Sequence, residues 1–593
     1  MRRCHRRPSL LRLGVALPLL LAPLLARAGV QLVVDGVDDR LKGAVVSGVG
    51  LSQYAAREVS EAQVRRLYER ADAEAKAALQ PYGYYEASVR GELEPAGKDW
   101  RVVLHVTPGP PVQVTAVDVK LDEAAMKIAP IRRAERAVER LKGQPLDHGQ
   151  YEAARDALAA QLTASGYLDA RMVTHRVEVN RAGRSAAVHL AWETGRRYRF
   201  GAVHFEGSQF NEGFLDRYVP FKSGDYFEQG QLLALQQSLN GADYFSAVNV
   251  LPDAEGAKNG VVDITVQLAP AKRSIYTAGP FIGTDTGVGA RAGLDRRWVN
   301  RRGHKWKNEI VLAQRLKTLS TLYSIPMPGP DQRAFNFGAN FRDANTDTSK
   351  SRTLELVGNE TRLWHGWTRT LGLHALSGTF TVGEKGGDPN STLGIERGRS
   401  TLLYAEASLS RKQADNPSFV RRGWSVNVYA RSTAGTLLSD ARFSQWQADV
   451  KWIRAFTRRD RLILRGSAGM TWTTDFSALP PQLRFFAGGD RSVRGYGYQS
   501  LGPRNSYDRV IGGKNLLVGS TEVEHYFTRE WGMAAFVDAG NAYDGTDYRP
   551  KIGAGLGLRW LSPVGMIRVD IGTPVSSREN HGIQLHLVIG PDL

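Results

Sequence analysis

Apolar and polar residues alternate with one period in the first half of the chain and with another in the second half. Up to about residue 272, apolar residues recur at helical spacing in segments that are followed by short stretches of strict alternation. From Ser274 onward the helical period disappears and the alternation has a period of two. The pattern predicts an α+β region of helices and strands, followed by a region built of strands.

The α+β region consists of one pattern that occurs three times, at a spacing of about 80 residues. Each copy has a polar-capped amphipathic helix, a turn in which Gly or Asp precedes an aromatic residue, and two alternating strands. The helices are predicted over 60–79, 147–162 and 229–239, and the turns read Gly83-Tyr84-Tyr85, Gly166-Tyr167-Leu168 and Asp243-Tyr244-Phe245. Recurrence at one spacing predicts three modules, over 29–110, 111–196 and 197–272; three unrelated small α+β domains are the alternative.

The strand-rich region, residues 273–593, carries polar and charged residues on one face of strand after strand. In one segment the apolar set is Trp446, Ala448, Val450 and Trp452, and the opposite set is Gln445, Gln447, Asp449 and Lys451. Because inward charge suits a polar lumen better than the core of a sandwich, the pattern favours a transmembrane antiparallel β-barrel over a soluble β-sandwich. At roughly 20 residues per strand and loop, the region holds about 16 strands, an even number as bacterial barrels require.

Residues 1–28 have the composition of a secretory signal peptide. Arginines precede an apolar stretch from Leu13 to Leu25, and Ala26-Arg27-Ala28 is typical of a cleavage site. The apolar stretch is too short, and too interrupted by proline, for a membrane-spanning helix. We therefore expect an exported protein whose mature form has no cysteine, since Cys4 is the single cysteine of the sequence.

The chain is basic, with a formal net charge of +18. Six arginines and no acidic residue lie within residues 1–28, so the remaining chain carries +12. The excess is spread along the chain, which is compatible with anionic lipid headgroups. A nucleic-acid partner is not expected, because no binding motif occurs and the chain is exported.

The motifs of several catalytic sites are absent from the sequence. There is no Gly-x-Ser-x-Gly elbow, no His-Glu-x-x-His zinc motif and no phosphate-binding Gly-Lys-Ser/Thr loop. Asp285-Thr286-Gly287 resembles an aspartic-protease triplet, but it lies in an apparent strand turn and is interpreted as chance. We therefore expect neither an enzyme nor a metal or cofactor site.

A glycine-rich, charged segment from Phe485 to Gly497 interrupts the alternation. The pair Gly488-Gly489 permits positive φ, and an arginine on so flexible a turn is either solvated or held by buried carboxylates. This pair, followed by Val493-Arg494-Gly495-Tyr496, resembles the loop-six signature of the outer-membrane assembly-factor superfamily. Its members join periplasmic POTRA (polypeptide-transport-associated) domains, whose elements follow the order β-α-α-β-β, to a β-barrel that inserts or exports other proteins. The resemblance therefore implies this order for each of the three modules. With three modules before the barrel, the chain is most similar to the TamA family of the translocation and assembly module.

The resemblance implies a location and partners. The barrel would lie in the outer membrane of a Gram-negative bacterium, with the POTRA domains in the periplasm. Its clients would be unfolded outer-membrane proteins, autotransporters above all, and it would work with an inner-membrane-anchored TamB-like partner. Two alternatives within the superfamily are a two-partner secretion exporter, typically with two POTRA domains and a plug helix, and the general barrel-assembly subunit, typically with five. A passive porin would not need periplasmic modules.

The resemblance also implies a set of interacting residues in the lumen. In the family, the motif arginine contacts carboxylates on two later strands, which correspond here to Glu522 and Asp538. A guanidinium suits this role because its planar fork stays charged and binds carboxylates in pairs. Ordinary lumen charges screened by water are the alternative for Arg494, Glu522 and Asp538.

The first and last strands are expected to form a weak seam in the barrel. The candidate strands are Ser274–Phe281, which contains Tyr276, and Gly582–Gly590, which contains Leu587. Cysteines placed near Tyr276 and near Leu587 are expected to cross-link when their register is matched. The last strand is short and runs into Gly590-Pro591, and proline has no N–H to donate to a ladder. A seam that separates easily offers an edge on which a client strand can form.

Overall fold

The computed structural model describes residues 29–55, 57–97, 99–257, 259–327, 332–388, 390–416, 419–435, 438–562, 565–576 and 582–589. The predicted targeting segment 1–28 and the seam residues Gly590 and Pro591 lie outside these ranges. The described chain divides into two compact units. One contains the first two modules, and the other contains most of the third module together with the barrel.

The first module is a three-stranded sheet packed against two helices. Its elements are β1 (Val30–Asp35), α1 (Asp39–Gly48), α2 (Glu61–Leu79), β2 (Ser88–Ala96) and β3 (Asp99–Thr107). The strand order is β1-β3-β2, with β1 parallel and β2 antiparallel to β3. Ser60 caps α2 by accepting a hydrogen bond from the backbone N–H of Gln63. Val64 and Leu79 of α2 share a buried core with Val102 of β3, so the predicted amphipathic face covers the sheet.

The second module has the same order of elements with one additional short helix. Its elements are β4 (Gln113–Lys120), α3 (Glu123–Met126), α4 (Ala129–Glu139), α5 (His148–Ala164), β5 (Arg171–Asn180) and β6 (Ser185–Glu193). The strand order is β4-β6-β5. Asp147 caps α5 by accepting hydrogen bonds from the backbone N–H groups of Gly149 and Gln150, at 3.0 and 3.2 Å.

The third module differs from the expected β-α-α-β-β order. Its elements are β7 (Arg199–Glu206), α6 (Gln229–Gly241), β8 (Phe245–Pro252) and β9 (Val261–Pro270), with the strand order β7-β9-β8. A single 3₁₀ turn, Leu215–Tyr218, stands where the other modules have their first long helix. Phe210 and Phe214 fill the space, with ring centroids 4.7 and 5.9 Å from that of Tyr244.

The remainder of the chain forms an antiparallel barrel of 16 strands, each paired with its neighbour in sequence. The strands are β10 (Ser274–Gly283), β11 (Gly287–Arg296), β12 (Lys305–Ala313), β13 (Leu316–Pro326), β14 (Ala334–Asn345), β15 (Ser349–Trp364), β16 (Trp367–Val382), β17 (Glu396–Ala414), β18 (Arg422–Thr433), β19 (Phe443–Ala455), β20 (Asp460–Thr473), β21 (Asn515–Tyr526), β22 (Trp531–Tyr543), β23 (Lys551–Ser562), β24 (Gly565–Pro574) and β25 (Gln584–Ile589). Apolar side chains such as Trp446 and Val537 are exposed on the outer face, as the period of two predicts. None of the helices in the described ranges is long and apolar enough to cross a membrane.

The segment between β20 and β21, residues 474–514, folds into the lumen of the barrel. Val493, Tyr496 and Leu501 from this segment are buried in one cluster with Val518 on β21. We call this segment the lumen loop. It contains the motif that the sequence analysis singled out.

Candidate functional site

The tip of the lumen loop, Val493 to Tyr496, touches the barrel wall backbone to backbone. Gly495 has a φ of 93°, a conformation that favours glycine, and a Cβ there would lie 2.8 Å from the backbone of Thr573. The wall is equally tight, because a Cβ on Gly553 of β23 would lie 1.8 Å from the carbonyl oxygen of Arg494. Glycines on both sides thus fix the point from which the Arg494 side chain extends.

Arg494 contacts carboxylates from three strands. Its guanidinium donates two hydrogen bonds to Asp538 on β22, at 2.8 and 3.0 Å. It donates one to Glu522 on β21 at 2.7 Å and one to Asp570 on β24 at 2.8 Å. The backbone N–H of Arg494 also donates to Asp538, at 2.9 Å. Arg494 is 3% exposed and Asp538 0%, so these pairs are shielded from water.

Apolar and aromatic contacts hold the rest of the motif. The guanidinium carbon of Arg494 lies 3.5 Å from the ring centroid of Phe536, a cation–π arrangement. Val493 is completely buried. The hydroxyl of Tyr496 lies 3.2 Å from that of Ser576. Apolar burial, a cation–π contact and a hydroxyl contact therefore hold the tip of the lumen loop in addition to its ion pairs.

A second arginine, Arg559 on β23, bridges the carboxylates behind Arg494. It donates to Glu522 at 2.6 Å, to Glu524 at 2.8 Å and to Asp570 at 2.5 Å, and it is 0% exposed. Glu524 in turn accepts a hydrogen bond from Arg461 on β20. Arginines and carboxylates thus alternate along the inner wall.

These residues form a buried network with equal numbers of positive and negative side chains. Arg465 completes it, with a nitrogen 3.7 Å from an oxygen of Asp538. We call this set the lumen ion network; its members are Arg461, Arg465, Arg494 and Arg559 together with Glu522, Glu524, Asp538 and Asp570. A buried charge without a partner is costly, so the balance is what allows ionised groups to remain there.

The structure brings together the three lumen residues that the sequence analysis selected, Arg494, Glu522 and Asp538. It adds Asp570 and Arg559, which the sequence analysis did not select. The sequence pattern does indicate that both side chains face the lumen, because each occupies an inward position of its alternating strand. Alternation identifies which residues face the lumen, but it does not identify which of them meet.

The first and last barrel strands, β10 and β25, share no hydrogen-bonded ladder within the described residues. Asp490 of the lumen loop bridges them instead. Its carboxylate accepts a hydrogen bond from the hydroxyl of Thr284, just after β10, at 2.7 Å, and lies 2.6 Å from Nδ1 of His586 on β25. The backbone N–H of Gly495 donates to Nε2 of His586 at 3.0 Å. Since Nε2 accepts, the imidazole proton is on Nδ1 and points to Asp490. We call Thr284, Asp490 and His586 the seam clasp.

The contact between the seam strands lies at one end of β10. The backbone N–H of Leu587 faces the hydroxyl of Thr284 at 3.4 Å. Tyr276 lies eight positions earlier, about 26 Å away along an extended strand. This corrects the expected juxtaposition of Tyr276 with Leu587: among the residues that the structure describes, Leu587 lies beside Thr284, at the end of β10.

Three segments of the chain match models of known protein families. Residues 299–591 match the family model described as the Omp85 superfamily domain. Residues 31–108 match the model for POTRA domain TamA domain 1, and residues 198–270 match the POTRA model described as a surface antigen variable number repeat. This is an Omp85-superfamily chain with POTRA domains. Its barrel lies in the outer membrane and its POTRA domains lie in the periplasm.

Individual Omp85-superfamily proteins resemble this chain at low identity. It is 23% identical over 388 residues to the outer membrane protein assembly factor BamA of Nitratidesulfovibrio vulgaris, across 63% of this chain and 48% of the relative. The chain therefore spans about half the length of that relative. The crystal structure of BamA from Haemophilus ducreyi lacking POTRA domains 1–3 has a TM-score of 0.64 and 16% identity, across 80% of this chain and 98% of that one, which shows a shared fold. CdiB from Acinetobacter baumannii has a TM-score of 0.47 and 14% identity, across 81% and 89%.

Proposed function

We propose that this Omp85-superfamily chain assists the folding and insertion of other outer-membrane β-barrel proteins, autotransporters above all. In this proposal it is a TamA-type subunit of a translocation and assembly module and works with an inner-membrane-anchored TamB-like partner. The match of residues 31–108 to the first POTRA domain of TamA supports this branch of the superfamily. The POTRA sheets would hold extended client segments by strand addition.

The observation that carries the proposal is the seam. Fifteen neighbouring strand pairs of the barrel are joined by ladders, whereas β10 and β25 are joined in the described residues through side chains of the seam clasp. Two strands joined by a few side-chain hydrogen bonds separate more easily than two strands joined by a backbone ladder. Opening the clasp would expose the N–H and C=O groups of β10 as a template.

A client strand needs such a template because lipid offers no hydrogen bonds. Each unpaired backbone group in the hydrocarbon layer costs several kcal/mol, so a strand must pair as it enters. The lumen loop would couple this event to the lumen ion network, because Asp490 of the clasp and Arg494 of the network lie four residues apart.

A reversible disulfide across the seam tests the templating mechanism. Thr284→Cys and Leu587→Cys place thiols where the two strands approach, and a disulfide requires Cα atoms within about 7 Å. We expect the oxidised variant to lose client insertion and to regain it on reduction. The matched control is Ala278→Cys with Ala292→Cys, a pair already opposite each other in the β10–β11 ladder, which should stay active when oxidised.

Full activity of the oxidised seam variant would reject templating at this seam. Mass spectrometry of proteins that co-purify from native membranes then tests the branch of the superfamily. Recovery of an inner-membrane-anchored partner supports the TamA type. Recovery of other outer-membrane proteins without such a partner would instead favour a general barrel-assembly subunit.

A further inference from the structure

The periplasmic end of the barrel carries three neighbouring turns that are rich in arginine. The third POTRA module marks this end, because Tyr244 donates a hydrogen bond at 2.6 Å to the carbonyl oxygen of Gly303 in the turn between β11 and β12. Antiparallel strands return to the same end after every second strand. The β17–β18, β19–β20 and β21–β22 turns therefore lie at the periplasmic end as well.

Two of these turns have the same local sequence and the same local structure. They read Phe456-Thr457-Arg458 and Phe527-Thr528-Arg529. The hydroxyl of each threonine accepts hydrogen bonds from two backbone N–H groups further along its turn, at 2.9 to 3.2 Å. The turns are neighbours because β20 pairs with β21, with Asp460 opposite His525. Each therefore presents a phenylalanine and an arginine at one place on the rim.

A cavity of about 480 Å³ lies between the three turns. Arg458, Arg459 and Arg529 line it and are exposed, and no carboxylate in the described part of the chain lies within 4 Å of their guanidinium nitrogens. Asp460 of the same rim is already engaged, 2.6 Å from His525. Three of the guanidinium groups that line the cavity thus have no carboxylate at ion-pair distance, whereas Arg461, which also lines it, is paired with Glu524. We call this cavity the rim pocket.

Aromatic side chains place the rim pocket at the membrane surface. Phe456 and Phe527 are 62% and 47% exposed. Exposing an apolar ring to water is unfavourable in free energy, so these rings are better suited to contact with lipid. Trp531 stacks on Trp560 at the same end, with ring centroids 5.2 Å apart, and Trp452 is exposed on the outer face nearby. Such aromatic residues form the girdles of outer-membrane barrels at the level of the lipid headgroups.

We propose that the rim pocket binds the headgroup phosphate of an anionic phospholipid from the periplasmic leaflet. A guanidinium fork matches phosphate oxygens in pairs, and the exposed phenylalanines would lie against the acyl chains below the headgroup. The site borders the lumen ion network at Arg461, but its three exposed arginines are not members of that network or of the seam clasp. It does not depend on the proposed assembly function.

The test measures lipid retained by the full-length protein. Native mass spectrometry of protein purified in detergent, with added phosphatidylglycerol, is compared for wild type and for Arg458→Gln/Arg459→Gln/Arg529→Gln. Each arginine near a membrane surface increases the affinity for anionic lipid about fivefold. Because the triple variant loses three arginines, it should bind phosphatidylglycerol on the order of one hundredfold more weakly than wild type. Arg66→Gln/Arg90→Gln/Arg101→Gln removes the same charge from exposed sites of the first POTRA module and should bind like wild type.

Two further measurements keep the proposal falsifiable. The variant Arg458→Lys/Arg459→Lys/Arg529→Lys keeps the charge and should retain most of the binding, which separates loss of a site from loss of folding. Inorganic phosphate at millimolar concentration should not displace phosphatidylglycerol, because the acyl chains contribute to affinity. Equal lipid retention in the Gln variant and its control, or displacement by phosphate alone, would overturn a lipid site at this rim.

Discussion

Replacing Arg494 by alanine removes a cation that contacts carboxylates on three strands of the wall. Glu522 and Asp570 each keep a short contact with Arg559, at 2.6 and 2.5 Å. Asp538 keeps Arg465, whose nearest nitrogen is 3.7 Å away. The loss therefore falls mainly on Asp538, which is 0% exposed.

The burial of Arg494 determines how much free energy of docking the lumen loop loses in this variant. An exposed ion pair contributes about 0–1 kcal/mol, whereas breaking a buried pair by removing one partner costs about 3–5 kcal/mol. Arg494 has a side chain that is 4% exposed, so the larger figure applies. Because 1.4 kcal/mol is a factor of ten, the undocked population of the lumen loop should rise roughly 100-fold to 4000-fold.

Limited proteolysis of the lumen loop in the folded barrel measures this population. A protease that cuts after aromatic residues is required, because Arg494→Ala deletes a trypsin site. Cleavage at Tyr496 and Tyr498 reports undocking when reclosing is faster than cutting. We expect the barrel to stay folded, as judged by heat-modifiable mobility on a gel, while cleavage accelerates and assembly activity falls.

Three companion variants sharpen the result. Arg491→Ala removes an exposed arginine of the same loop and should behave like wild type. Arg494→Lys should recover only part of the protection, because an ammonium cannot reproduce the paired contact with Asp538. Adding Asp538→Asn to Arg494→Ala should restore some protection, since it removes the stranded charge. Equal cleavage of wild type and Arg494→Ala would refute the role of the network in docking.

Three further outcomes are expected. Gly553→Ala places a Cβ 1.8 Å from the carbonyl oxygen of Arg494, so it should undock the lumen loop and accelerate the same cleavage, in a barrel that still folds. Removal of residues 29–110 should leave the barrel heat-modifiable but impair client assembly, and loss of that mobility would contradict the module boundary. Burial raises the pKa of Asp147, but hydrogen bonds from Arg40 and Gln150 outweigh it and leave that pKa below its ordinary value. The ionised form therefore stabilises the α5 cap above about pH 4 and this stabilisation disappears as the pH falls further, which calorimetry of wild type against Asp147→Asn at pH 7 and pH 3 measures.

The three periodic repeats and the barrel could be recognised from short-range patterns. A helix face or a strand face is determined by residues within one or two turns, so Ser60 and Asp147 mark helix starts without knowledge of the fold. The first helix of the third module was the exception. There the aromatic residues around Phe210 and Phe214 pack on Tyr244, and long-range contact replaced a helix by a 3₁₀ turn.

The sequence by itself determined which side chains face the lumen, because the period of two assigns every residue of a strand to one face. It marked Glu522 and Asp538 through a family resemblance. The partners of Arg494 depended on the tertiary structure, since Asp570 lies 76 residues away in the chain. Strand register decides such contacts, and register follows from hydrogen bonding between distant segments. The same reason applies to the seam, where Leu587 meets Thr284 across 303 residues and no local pattern records how far β25 extends along β10.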